Sequence, residues 1–184
     1  MEGEPELLAQ VRRTYEEDEE VRRLAVAAAQ VEAAGYCRWP RVQEVIEFAR
    51  RLGVERLGIA TCIGLLREAR LLQQILESNG FQVFSVCCKV GGIPKEEIGL
   101  ADEEKVHPGQ FEPICSPVAQ ARLLNRAETG LNIVVGLCVG HDSLFFRYSE
   151  APVTVLVAKD RVTGHNPVAA LYTSHSYYRR LRGA

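Results

Sequence analysis

The chain has 184 residues, 47% hydrophobic and 25% charged, with a formal net charge of −2. That length supports one sizeable core and is short for two, so a single domain over 1–184 is expected, with N-terminal helices (1–53) packing on it. The charge balance lacks the basic face that nucleic-acid binding requires. No leader pattern at Met1–Pro5 and no membrane-length apolar run is visible, so neither nucleic acid nor membrane is an expected partner and the expected location is cytoplasmic.

In that compartment the six cysteines are expected to be reduced, as structural thiols, metal ligands or reactive thiols. Position along the chain decides between these. Residues 5–34 carry a helical stripe (Val21, Leu24, Ala28, Val31) with Gly35 as its expected C-cap. The acidic run Glu16–Glu20 is a solvated face or a break between two helices. Pro40 opens a second helix, 40–52, with Val42, Val45, Ile46, Ala49 and Leu52 inward and Gly53 at its end. Cys37 lies between the helices beside Trp39 and is expected to be idle.

A strand over 55–61 then runs into Cys62-Ile63-Gly64, which opens a helix to Asn79 with Leu65, Ala69, Leu72 and Leu76 inward. Cys62 is thereby placed at a helix N-terminus, where unpaired amides favour a thiolate. The second strand, Phe81 to Val86, ends in Cys87-Cys88-Lys89. Because successive strand residues point to opposite faces, one of the two thiols is expected at any site there. Residues 89–113 show no periodicity and many Gly and Pro, the pattern of a lid or binding loop or of a segment hiding a short hairpin. Cys115 ends this stretch, and Ser116-Pro117 supplies an N-cap and N1 proline for a helix to about Thr129.

The third strand, 131–138, is almost continuously apolar, as expected for a strand covered on both faces. It runs into Cys138-Val139-Gly140-His141-Asp142-Ser143, a turn carrying a thiol, an imidazole, a carboxylate and a hydroxyl. A helical piece to Tyr148 and a fourth strand, 153–158, follow, leading to Lys159-Asp160-Arg161, then His165-Asn166-Pro167, an apolar run to Tyr172 and a basic tail. The alternation predicts a three-layer α/β/α sandwich with a mainly parallel, flavodoxin-like or Rossmann-like sheet of four to five strands. Such sheets bind ligands at the carboxyl ends of their strands, where Cys62, Cys87 or Cys88, Cys115 and Cys138 all fall.

Three or four thiols with His141 suit a tetrahedral zinc site, and four thiolates suit an iron–sulfur cluster equally well. No CxxC knuckle is present, so the fold itself must gather the ligands. The competing class is metal-free: Cys62 or Cys138 as nucleophile, His141 or His165 as base, Asp142 or Asp160 orienting the imidazole. Lys89 and Arg161, with Asp160 and Asn166, would line a pocket for a small anionic molecule. A small-molecule ligand or a redox partner is the expected partner class. His107 and His175 are expected to be exposed loop histidines.

Several phrases are distinctive: Cys62-Ile63-Gly64-Leu65-Leu66, Ser85-Val86-Cys87-Cys88-Lys89, Cys115-Ser116-Pro117 with Gln120-Ala121, Gly136-Leu137-Cys138-Val139-Gly140-His141-Asp142-Ser143, and Lys159-Asp160-Arg161-Val162 through His165-Asn166-Pro167. Together they resemble the DUF1847 family, a functionally uncharacterised group from anaerobic bacteria and archaea commonly labelled metal-binding. The resemblance runs from about Tyr15 to Tyr172. It implies family cysteines at Cys62, Cys88, Cys115 and Cys138, with Cys87 at a variable position, and so favours Cys88. It also implies a further cysteine-rich segment ahead of the first helix, after which this chain is expected to begin.

Overall fold

The computed structural model describes residues 4–183; Met1, Glu2 and Gly3, which belong to the segment without a leader pattern, and Ala184 lie outside them. The chain forms two compact units, residues 1–54 and 55–184. In the first, α1 (Pro5–Glu17), α2 (Glu19–Gly35) and α3 (Arg41–Arg51) pack in sequence. The acidic run is the break between helices: Asp18 leaves helical geometry and its Oδ1 accepts the Val21 N–H at 3.0 Å, capping α2. Gly35 is not the left-handed cap its position suggests. It ends α2 at an ordinary φ, and a Cβ there would lie 2.4 Å from the Trp39 ring, so the glycine makes room for the indole.

The second unit carries the sheet: β1 (Arg56–Thr61), β2 (Gln82–Cys87), β3 (Leu131–Val135) and β4 (Val153–Val157), all parallel, in the order β2-β1-β3-β4. This is a doubly wound order with its reversal between β1 and β3. Right-handed crossovers put α4 (Leu66–Ser78) on one face and α5 (Pro117–Arg126) and α6 (His141–Tyr148) on the other, where the latter two pack together. Every residue of β3 is buried, in keeping with its unbroken apolar run, whereas the edge strands β2 and β4 are half covered. Asn132 is the polar exception. Its amide bonds Thr129 and Ser149 and lies over Gly58, where a Cβ would fall 2.0 Å from its Oδ1. Among the described residues no helix is long and apolar enough to cross a membrane.

Two boundaries and one segment differ from the sequence expectation. β3 ends at Val135 rather than residue 138, because Gly136 takes φ +70° and turns the chain out of the sheet. α5 ends at Arg126 rather than Thr129, since Glu128 adopts φ 52°. Residues 89–114 are not featureless: single 3-10 turns at Lys95–Ile98 and Asp102–Glu104 and an antiparallel bridge between Pro94 and Pro113 give them shape. After β4 comes a short α7 (Val168–Tyr172).

Candidate metal centre at the carboxyl edge of the sheet

The strand register brings the thiols together. Thr61 ends β1 level with Cys87 on one side and Val135 on the other. The next residue of each strand keeps one ladder bond: Cys62 N–H to Val135 O (3.1 Å), Cys88 N–H to Thr61 O (2.8 Å) and Gly136 N–H to Val157 O (2.8 Å). Cys62 and Cys88 therefore leave the sheet side by side. Both are buried, 5% and 2% exposed, in one apolar cluster with Ala60, Ala121, Leu124, Val134, Leu137 and Phe145, and Cys115 packs against that cluster. Cys87, one residue earlier on the strand, is half-buried and also packs against this cluster; Cys37 is exposed in the first unit.

Backbone amides aim at the sulfurs. Ile63 N–H donates to Cys88 Sγ at 3.3 Å and Gly64 N–H to Cys62 Sγ at 3.5 Å, both from the 3-10 turn Ile63–Leu65 that leads into α4. Ser116 stands at the N-cap position of α5 but caps nothing with its hydroxyl. Its N–H donates to Cys88 O at 2.7 Å, which ties Cys115 to the end of β2. Cys115 and Cys88 are in hydrogen-bond contact. The Cys88 thiol donating to it, together with the charges of Lys89 and His141, lowers Cys115 to about 5. Cys88 moves the opposite way, raised by the Cys115 thiolate and by burial.

Cys138 arrives by a different route. Gly136 turns the chain, Leu137 goes inward, and Cys138 stands before α6, where its carbonyl accepts the His141 and Asp142 amides. Arg161 Nη2 reaches Cys138 Sγ at 3.1 Å, and its guanidinium is held charged by Cys138 first and by Cys62 and Cys115 further off. As the side chains stand, no three Cys, His, Asp or Glu among the described residues converge closely enough to hold a metal ion between them.

The other predicted residues divide. His141 lies within electrostatic reach of Cys115, and its Nδ1 is buried without a hydrogen-bond partner among the described residues. Asp142 is engaged in its own turn, where its Oδ1 accepts the Gly140 and Ser143 amides. Lys89 Nζ donates to Pro113 O at 2.6 Å beside Cys115. Asp160 closes a turn, accepting the Val162 and Thr163 amides, and these hold its carboxyl below the usual range. His165, at φ 67°, uses Nδ1 to accept the Asp160 N–H at 3.1 Å. That bond puts the proton of the neutral ring on Nε2. Asn166 is exposed, its carbonyl accepting the Ala169 amide at the start of α7.

Two contributors carry no sequence signal of their own. Gln120 is 0% exposed, and its Nε2 bridges Thr61 O (3.1 Å) and Val86 O (2.7 Å), fastening the ends of β1 and β2 beneath the thiols. Lys159 threads a gap left by two glycines: its stem lies 3.6 Å from where a Gly136 Cβ would be and its Nζ 3.2 Å from that of Gly64. Only their shared place in quoted phrases, Gln120 after Cys115 and Lys159 before Asp160, hinted at either.

The fold and this edge define a parallel, doubly wound α/β protein with a thiol-rich carboxyl edge. The chain belongs to the DUF1847 family, described as a protein of unknown function, whose pattern matches residues 1–156. It is 44% identical over 169 residues to an uncharacterised protein of Methanocaldococcus jannaschii, covering 92% of this chain and 85% of that one. Among solved structures it is similar to Dph2 from Pyrococcus horikoshii, in crystals with a 4Fe-4S cluster, at 21% identity and a TM-score of 0.39; the match covers 76% of this chain and 32% of Dph2. A second Dph2 crystal structure matches to the same extent.

Proposed function

We propose that this is a soft-metal protein whose Cys62, Cys88, Cys115 and Cys138 take up zinc or an iron–sulfur cluster, with His141 as a fifth candidate ligand. One observation carries the reading: four separate chain segments deliver four thiols to one strand edge, where amides and cations face them. The donor set fits. Thiolate sulfur selects zinc and iron–sulfur centres over hard cations, and amide N–H bonds to sulfur with Lys89 and Arg161 nearby offset the charge of several thiolates. Loading would require the thiols to draw closer together than they now stand. A bound cluster would supply one-electron chemistry, and zinc a structural clamp or Lewis acid.

The test is metal and acid-labile sulfide analysis with a visible spectrum on protein purified without oxygen. Stoichiometric iron with sulfide, or stoichiometric zinc without it, is expected, and Cys62→Ser/Cys138→Ser should lose most of it. Full metal content in that double variant would sink the shared site.

The depressed Cys115 favours a second reading, metal-free thiol chemistry, with Cys115 replacing Cys62 or Cys138 as nucleophile. Metal-free protein would then take iodoacetamide first at Cys115, at neutral pH; uniform slow labelling of all thiols counts against it.

A further inference from the structure

Away from the thiols, the second unit has a cleft of about 900 Å³ lined by Val90, Gly91, Ala119, Arg122, Leu123, Asn125, Arg126, Tyr148 and Glu150. That volume is within the range of small-molecule sites, roughly 300 to 1,000 Å³. Its floor is the outward stripe of α5. Residues 119, 122, 123 and 126 recur at the i, i+3, i+4, i+7 spacing of one helix face, opposite the buried Gln120, Ala121 and Leu124. The α6 end of the cleft is fixed: Asn125 Nδ2 donates to Tyr148 O at 2.9 Å, and Asn125 Oδ1 accepts the Glu150 N–H at 3.1 Å.

Three charged side chains here are unused. Arg122, Arg126 and Glu150 make no side-chain hydrogen bond or ion pair among the described residues. Surface arginines are ordinary, but two unpaired guanidiniums one helical turn apart, about 6 Å along the axis, sharing a cleft with an unpaired carboxylate and a phenol ring, form a pattern with chemical content. Guanidinium forks bind phosphate oxygens in pairs. The Tyr148 ring, in a residue 39% exposed, offers a surface on which a flat heterocycle can stack. A carboxylate acts only as an acceptor, which matches a pair of sugar hydroxyls and opposes a second phosphate beside it.

We infer that this cleft binds a nucleoside diphosphate or a closely similar phosphorylated nucleoside: the phosphates on Arg122 and Arg126, the base against Tyr148 and Leu123, the sugar hydroxyls on Glu150. This site uses none of the cysteines and stands or falls independently of the metal reading.

Isothermal titration of the full-length protein with ADP as the probe tests it, with adenosine and inorganic phosphate as partial ligands. ADP should saturate one site in the sub-millimolar range, with each partial ligand weaker by at least about tenfold. Arg122→Gln/Arg126→Gln should weaken ADP by at least about tenfold with unchanged thermal melting, and Tyr148→Leu should weaken it less. Absence of saturable ADP binding at millimolar concentration overturns the proposal, as does binding that survives the double arginine variant. Equal affinity for phosphate and ADP would also overturn it, since the cleft would then see only charge.

Discussion

The thiol edge and the 89–114 segment beside it bury polar groups by opposite means. At the edge, sulfurs and strand-end carbonyls sit over an apolar cluster and are satisfied by amides, by Gln120 and by each other. In the 89–114 segment almost no apolar side chain is buried, and the organising group is an ammonium. The Lys105 side chain, 3% exposed, reaches Glu96 Oε1 at 2.6 Å, Asp102 Oδ1 at 2.5 Å and Gln110 O at 2.7 Å. Lys95 pairs with Glu112, whose other oxygen accepts the Val106 and His107 amides. Packing holds a position against pH and salt, and charge pairing yields to both. The contrast therefore teaches where the molecule is fixed and where it is adjustable: the site has a rigid floor and an electrostatically fastened flank.

The largest expected effect comes from cutting that floor. Leu124 is fully buried in the cluster shared with Cys62 and Cys88. Leu124→Ala should cost about 2–5 kcal/mol of unfolding free energy, measured by urea denaturation. A cost below about 1 kcal/mol would show that the edge does not rest on this cluster. Next is Gln120→Leu, similar in volume but unable to donate. Thr61 O keeps its bond from Cys88 N–H, while Val86 O, on the half-covered edge strand, loses the Gln120 donor. The expected cost is about 1–3 kcal/mol, with native packing retained by near-ultraviolet circular dichroism. An unchanged midpoint would mean that water replaces the side chain, so that the ends of β1 and β2 are wet.

How much of this was legible beforehand follows from the same contrast. The apolar run of β3, the parallel alternation and the rim position of Cys62, the Cys87-Cys88 pair, Cys115 and Cys138 were readable because burial and period leave a direct mark on residue type, whereas only the family resemblance favoured Cys88 within the pair. The early end of β3 was not, since Gly136 inside an apolar run looks like a weak strand residue until its close approach to Leu65 is seen. Lys105 was invisible for a similar reason. Lysines are almost never buried, and only the folded turn at Asp102–Glu104 closes two carboxylates and a carbonyl around this one. The orienting roles expected of Asp142 and Asp160 assumed that a carboxylate near an imidazole serves it. In both turns backbone amides also bond one oxygen of the carboxylate, and His165 still acts electrostatically on Asp160.

The smallest effects belong to the flank, and they have a definite sign. Lys105 holds Asp102 and Glu96 below the usual carboxylate range, and Lys95 does the same for Glu112. A carboxylate depressed in the folded state adds stability that is present above its unfolded value, about 4, and is lost as pH falls through the folded value. Lys105 is raised, by Asp102 first and Glu96 second. Its contribution is therefore present below about pH 10 and lost above it, as pH rises through the folded value. The segment should stay closed across neutral pH and open in acid below about pH 4 before the sheet does. Amide exchange at Gly109, whose N–H donates to Asp102 Oδ2 at 2.8 Å, reports this locally. Its protection should fall on acidification and, more gently, with molar salt, because Glu96 and Asp102 are half exposed. Amides of β3 should be unmoved by either change. If Gly109 and β3 lost protection together, the flank and the floor would be one cooperative unit, and the 89–114 segment would not open without unfolding the site.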